Sequence, residues 1–138
     1  MANKDNYSII GGKRKTALAK VKFSQGSGKI SYNSLPYNEL GLFNRLALSE
    51  PIRIYQSELG DELNYDFDIT TKGGGKSGQI QAARLALAKA LVHITGSDTL
   101  KRAFLKYDRN MIVQDSRRKE TRKPGDSKAR AKRQQSFR

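Results

Sequence analysis

The last 25 residues constrain this chain most. After Val113 the only apolar side chains are Ala129, Ala131 and Phe137, while ten Lys or Arg face three Asp or Glu. Ordering a backbone costs about 1–2 kcal/mol per residue, which three apolar side chains cannot offset. Arg117-Arg118-Lys119, Arg122-Lys123 and the run from Lys128 to Arg133 repel one another, and Pro124-Gly125 interrupts any helix between them. The segment is expected to order on a polyanion whose phosphates replace the missing core; a disordered solubilising tail is the plainer alternative. Binding of the first kind weakens with salt, with a slope of about −0.7 to −0.9 per phosphate contact.

Charge divides the remaining chain in the same way. Residues 1–30 hold seven basic and one acidic side chains, and residues 31–113 hold ten and nine. A nearly neutral body, residues 1–113, therefore carries a cationic start and a cationic tail, residues 114–138, within a total of 138 residues and a net charge of +14. That length suits one domain. The absence of cysteine excludes disulfides and thiolate metal sites, and a single histidine, His93, leaves little for imidazole metal sites or Ser-His chemistry. No apolar run reaches the roughly 20 residues of a membrane span. Lys4 and Asp5 precede no apolar stretch of the signal-peptide kind, so an intracellular protein is expected.

Ala17, Ala19, Val21 and Phe23 alternate with Lys20, Lys22 and Ser24, which predicts a strand over 15–23 with a basic outer face. Residues 25–28 read as a turn and 29–33 as the returning strand of a hairpin. Leu40, Phe43, Leu46 and Ala47 predict a helix over 37–48, stopped by Pro51, with an ambiguous segment at 52–55. Residues 65–71 alternate again. Ile80, Ala83, Leu87, Leu91 and Ile94 mark a helix over 79–94 that ends at Gly96, and Ser97 or Asp98 can cap a shorter helix after it. Met111-Ile112-Val113 reads as a closing strand. The mixture predicts an α+β body, one sheet packed on helices.

Gly73-Gly74-Gly75-Lys76-Ser77-Gly78 sits between a strand and a helix, but a phosphate loop of the G-x-x-x-x-G-K-[ST] type needs glycine where Thr70 stands. A structural turn, an RNA-backbone contact and a nucleotide site all stay open; with the second, Lys76 faces phosphate. Gly12-Lys13-Arg14-Lys15-Thr16 precedes the strand that carries Lys20 and Lys22, which favours phosphate contact over a merely solvated run. Asp66 and Asp68 share a strand face and read as solvated outer residues, and His93 as a surface or core histidine.

The segments Gly12-Lys13-Arg14-Lys15-Thr16-Ala17, Gly73-Gly74-Gly75 with Gly78-Gln79 and Ala82-Ala83-Arg84, and Tyr107-Asp108-Arg109 occur here in one order. They are followed by Arg117-Arg118-Lys119-Glu120, Ala129-Arg130-Ala131-Lys132-Arg133 and the final Ser136-Phe137-Arg138. Together they resemble the universal S-nine family of small-subunit ribosomal proteins, over nearly the whole chain. The Ser-aromatic-Arg ending resembles the archaeal and eukaryotic branch, and the short start and small size an archaeal member. The resemblance implies a four-stranded sheet backed by helices, similar to the second domain of ribosomal protein S-five, with a left-handed βαβ crossover against the usual right-handed rule. It implies a place in the head of the small subunit, within the cytoplasmic ribosome, among neighbouring head proteins. The rRNA contacts it implies fall to Lys13, Arg14, Lys15, Lys20, Lys22, Lys76, Arg117, Arg118, Lys119, Arg122, Lys123, Lys128, Arg130, Lys132 and Arg133. The tail would reach the peptidyl-site tRNA through Ser136, Phe137 and Arg138, steadying its occupancy. Phe137 stands where the branch generally has Tyr, so a hydroxyl is absent while stacking survives. No cofactor, metal, small-molecule substrate, membrane or catalytic activity is implied. Two rivals keep their own signatures: a small kinase or the protein part of an RNA-processing ribonuclease would turn over a nucleotide or precursor RNA with magnesium. A nonspecific chromatin or anionic-membrane binder would not distinguish DNA, liposomes and rRNA.

Overall fold

The computed structural model describes residues 7–60 and 62–137. The chain opens with a hairpin of β1 (Ser8–Arg14) and β2 (Ala17–Gln25), turned at Lys15 in the left-handed region, and continues through β3 (Ile30–Tyr32) and β4 (Leu35–Pro36). Helix α1 (Leu42–Leu59), strand β5 (Tyr65–Lys72), helix α2 (Lys76–Thr95) and helix α3 (Asp98–Tyr107) follow. The sheet runs β1-β2-β5-β3-β4, antiparallel except where β3 lies parallel to β5.

The predicted alternation of β2 is present: Ala17, Ala19, Val21 and Phe23 are buried, and Leu18, Lys20 and Lys22 are exposed. Against that buried face lies α2, whose Ala82, Ala83, Ala86 and Ala90 let the helix approach closely. Gly12 completes the approach, because a Cβ there would stand 2.4 Å from the Ala82 carbonyl oxygen and 2.9 Å from the Ala86 amide nitrogen. Leu48 and Tyr55 of α1, Leu100 and Phe104 of α3, and Met111 close the same core.

Several expectations give way to long-range contacts. Strand β1 was not legible as a strand, and β2 pairs with it and with β5 rather than with β3. The Asp66 carboxylate, at the start of β5, accepts from the backbone N–H groups of Ser27 and Lys29 at 2.9 Å each, so the loop wraps around β5 and delivers β3 to its far edge. These two N–H groups, Lys29 first, hold the Asp66 carboxyl below its usual range. The sheet has five strands rather than four, since Asn33 and Ser34, at φ 49° and 66°, turn β4 back onto β3. Asn33 is fixed there by donating to Thr71 Oγ1 at 2.9 Å and accepting from the Thr71 amide at 2.8 Å. Helix α1 starts later than predicted and runs through Pro51, which is fully buried, so burial outweighs the lost backbone donor. The predicted helices after β5 form as α2 and α3, and Ser97 caps α3 by accepting from the Leu100 amide at 3.4 Å. Residues 111–113 make no strand; Met111 ends a 3₁₀ turn over Arg109–Met111, capped by Asp108 on the Asn110 amide.

Candidate nucleic-acid interface

In an antiparallel ladder, directly paired residues share a face. Lys13 and Lys72 both pair with Leu18, and Lys20 and Lys22 follow on β2, so four lysines occupy the sheet face opposite the helices. The Lys22 ammonium lies 3.9 Å from the centroid of the Tyr7 ring. Asp68, across from Lys22, accepts from Ser31 Oγ at 2.6 Å. Both aspartates of β5 therefore hold neighbouring segments in place, beyond the solvated role expected of them. Lys72 was missed in the sequence, although the alternation of β5 places it on the same face.

A second group of cations gathers where the β1–β2 turn meets the start of α2. Gly73 and Gly74 have φ of 72° and 65°, and Cβ atoms there would stand 2.9 Å from Thr16 O and from Ala17. These two glycines thus serve close packing, and the structural reading of the loop holds for them. Gly75 faces open space and precedes α2 without a side-chain cap, leaving the first turn's N–H groups uncapped by side chains. A recess of ≈ 220 Å³ lies here between Arg14, Lys15, Gly74, Gly75, Ser77 and Gln81. Lys76, the first residue of α2, is exposed beside it.

The tail joins the body at the same end. Arg14 donates from Nε to Gln81 Oε1 at 2.9 Å and from Nη1 to Asp115, and Arg118 donates to the Lys15 carbonyl at 3.1 Å. Arg117 closes on the same carboxylate, with Nη2 at 2.7 Å and its own amide at 2.8 Å. The Arg117 side chain and amide, and then Arg14, hold the Asp115 carboxyl far below the ordinary carboxylate range. Arg14 is consequently committed to the junction, while Lys15, Lys76 and the exposed lysines keep free ammonium groups for phosphate in this arrangement.

Beyond Met111 the described residues form turns and extended segments without helix or strand. Lys119, Arg122, Lys123, Lys128, Lys132 and Arg133 are exposed along them. Arg130 makes a two-pronged pair with Glu120, Nη2 at 2.6 Å and Nε at 2.9 Å, which lowers the glutamate and raises the guanidinium from their usual values. Ser136 is exposed and Phe137 is 92% exposed; Arg138 lies outside the described residues. His93, the remaining imidazole, is exposed with its ring edge-on to Phe23 at 6.0 Å. Arg84, which sequence alone attached to a motif, spans Glu50 at 2.6 Å and Asp108 at 3.0 Å and ties α1, α2 and the end of α3 together. Among the described residues no group of three or more His, Cys, Asp or Glu is placed to hold a metal ion, and no helix is long and apolar enough to cross a membrane.

Comparison with known proteins returns one consistent result. The family described as Ribosomal protein S9/S16 matches residues 12–138. The chain is 42% identical over 130 residues to the small ribosomal subunit protein uS9 of Methanococcus vannielii, covering 92% of this chain and 95% of that one. It is 44% identical over 130 residues to its counterpart in Methanococcus maripaludis, with the same coverage, and 41% identical over 128 residues to that of Methanothrix thermoacetophila.

Proposed function

The chain belongs to the ribosomal protein S9/S16 family, and from that premise we propose that it is a structural, non-catalytic constituent of the small ribosomal subunit, resident in the cytoplasmic ribosome. Its partners are rRNA and neighbouring proteins of the subunit head. In this reading residues 1–113 form the rRNA-binding body and residues 114–138 an arm that reaches the peptidyl-site tRNA. The finer fold features that go with it are likeness to the second domain of ribosomal protein S-five and a left-handed sense for the β3–α1–β5 crossover.

The observation that carries the reading is the convergence of the β1–β2 turn, the uncapped start of α2 and the root of the arm at one end of the molecule. Uncapped amides, Lys15 and Lys76 offer an RNA phosphate charge and directed donors together. The Arg14–Asp115 and Arg118–Lys15 contacts set the direction in which the arm leaves. Lys13, Lys20 and Lys22 add a second basic area on the open sheet face. Along the arm, Arg117, Arg118, Lys119, Arg122, Lys123, Lys128, Arg130, Lys132 and Arg133 neutralise crowded phosphates, and Ser136, Phe137 and Arg138 meet tRNA. Guanidinium and ammonium groups there stabilise a fold of RNA that its own phosphates oppose.

The test is affinity for small-subunit rRNA against DNA of equal length, titrated with salt. Lys15→Glu and Lys76→Glu each weaken rRNA binding and flatten the salt slope by about one unit. Unchanged affinity and slope, or equal binding to DNA, would overturn the rRNA reading. Subunits carrying a chain without residues 136–138 assemble and release peptidyl-site tRNA faster; equal retention would overturn the tRNA contact.

A further inference from the structure

The other end of the sheet carries a surface of opposite character. Residues 30–44 contain no Lys or Arg, and residues 37–62 hold five acidic side chains against two basic ones, in a chain of net charge +14. The first turns of α1 lie in this stretch and present Leu42, Phe43 and Leu46 at 57%, 84% and 42% exposure. Phe43 and Leu46 are three residues apart, and Leu42 and Leu46 four apart, so they are neighbours on one helix surface. The opposite side of the helix supplies Leu48, Pro51 and Tyr55 to the core. The apolar edge is also held firmly: Tyr37 donates to the Arg45 carbonyl at 3.1 Å, and Tyr37 and Leu40 pack against the core ahead of it.

From this we infer that Leu42, Phe43 and Leu46 dock a cationic protein of the same particle, with Phe43 as the anchor seated in an apolar socket and the acidic corner around it facing Lys or Arg. The inference rests on the ribosomal reading above and names a surface for one of its protein neighbours. RNA does not fit here, because no cation in residues 30–44 answers a phosphate and Glu39 repels one. A second copy does not fit either, since two chains of this charge repel. A protein that itself sits on RNA carries excess Lys and Arg, which complements the acidic corner. An aromatic side chain held rigid and surrounded by smaller apolar ones matches the usual centre of a protein interface.

The experiment places a photoreactive benzoylphenylalanine at position 43, where exposure leaves the fold undisturbed, and irradiates small subunits purified in high salt. The expected product is an adduct with one cationic subunit protein, mapped to an apolar residue flanked by Lys or Arg. With Phe43→Ala and Leu46→Ala, that protein leaves the subunit at least about tenfold faster while this chain stays bound. An adduct with rRNA, an adduct with a second copy, or no adduct in subunits that contain the chain would overturn the docking and leave the ribosomal reading standing. Absence of the chain from the subunits would overturn both.

Discussion

The body and the arm are built on opposite terms. In the body, small residues bring backbones together: Gly12 under Ala82 and Ala86, Gly74 against Ala17, and four alanines of α2 on the sheet. In the arm no buried apolar side chain does this work. Its carboxylates do it instead, Asp115 between Arg14 and Arg117, Glu120 on Arg130, and Asp126 accepting from the Arg133 amide at 3.2 Å. The body can hold its shape with its own contacts, whereas the arm's fold depends on charge pairs that a polyanion competes for. That difference suits a protein whose body sits on RNA and whose arm is threaded through it.

The largest effect breaks the body. Gly12→Val forces a side chain into the backbone of α2 and costs about 3 kcal/mol or more, read as a lower urea midpoint. A native midpoint would contradict the close-packing account. Next, a chain ending after Arg118 keeps the body's urea midpoint but loses most of its salt-dependent rRNA affinity, the slope of log K against log salt falling by about 0.7–0.9 for each phosphate contact removed. A lowered midpoint would mean that the arm stabilises the body after all.

Asp115→Asn acts more locally, freeing the root of the arm so that trypsin cuts after Arg117 and Arg118 faster at neutral pH. Because the folded carboxyl is depressed, its stabilisation is full above the usual carboxylate range and is lost only as pH falls through the lower folded value. Hydrogen exchange at the arm's root therefore rises on acidification below that range in the natural chain and stays flat in the Asn variant. The smallest effect is Glu120→Gln, which exposes the arm near Arg130 to trypsin without moving the urea midpoint.

Local patterns explain what was legible. The strict alternation of Ala17, Ala19, Val21 and Phe23 and the apolar stripe of α2 specify their elements, and the three basic clusters were visible as charge. Strand β1 was hidden because Gly11-Gly12-Lys13-Arg14 carries no alternation, and it becomes a strand by lying on α2. The false β2–β3 hairpin followed from a plausible turn, whereas the true order depends on Asp66 gripping residues almost forty positions away. Helix α1 crosses Pro51 because tertiary burial overrides propensity. At the candidate interface, the lysines of β2 were found by face, but the pairing of Arg14 with Asp115 spans the length of the body and has no local signal.

The most direct test is sedimentation of a cell lysate through a sucrose gradient in high salt, following this chain. Many rRNA contacts made together resist salt that strips loosely held cations, so the chain is expected to travel with the small subunit. Its release to the top fractions would contradict membership of the subunit and leave a nonspecific polyanion binder as the better description.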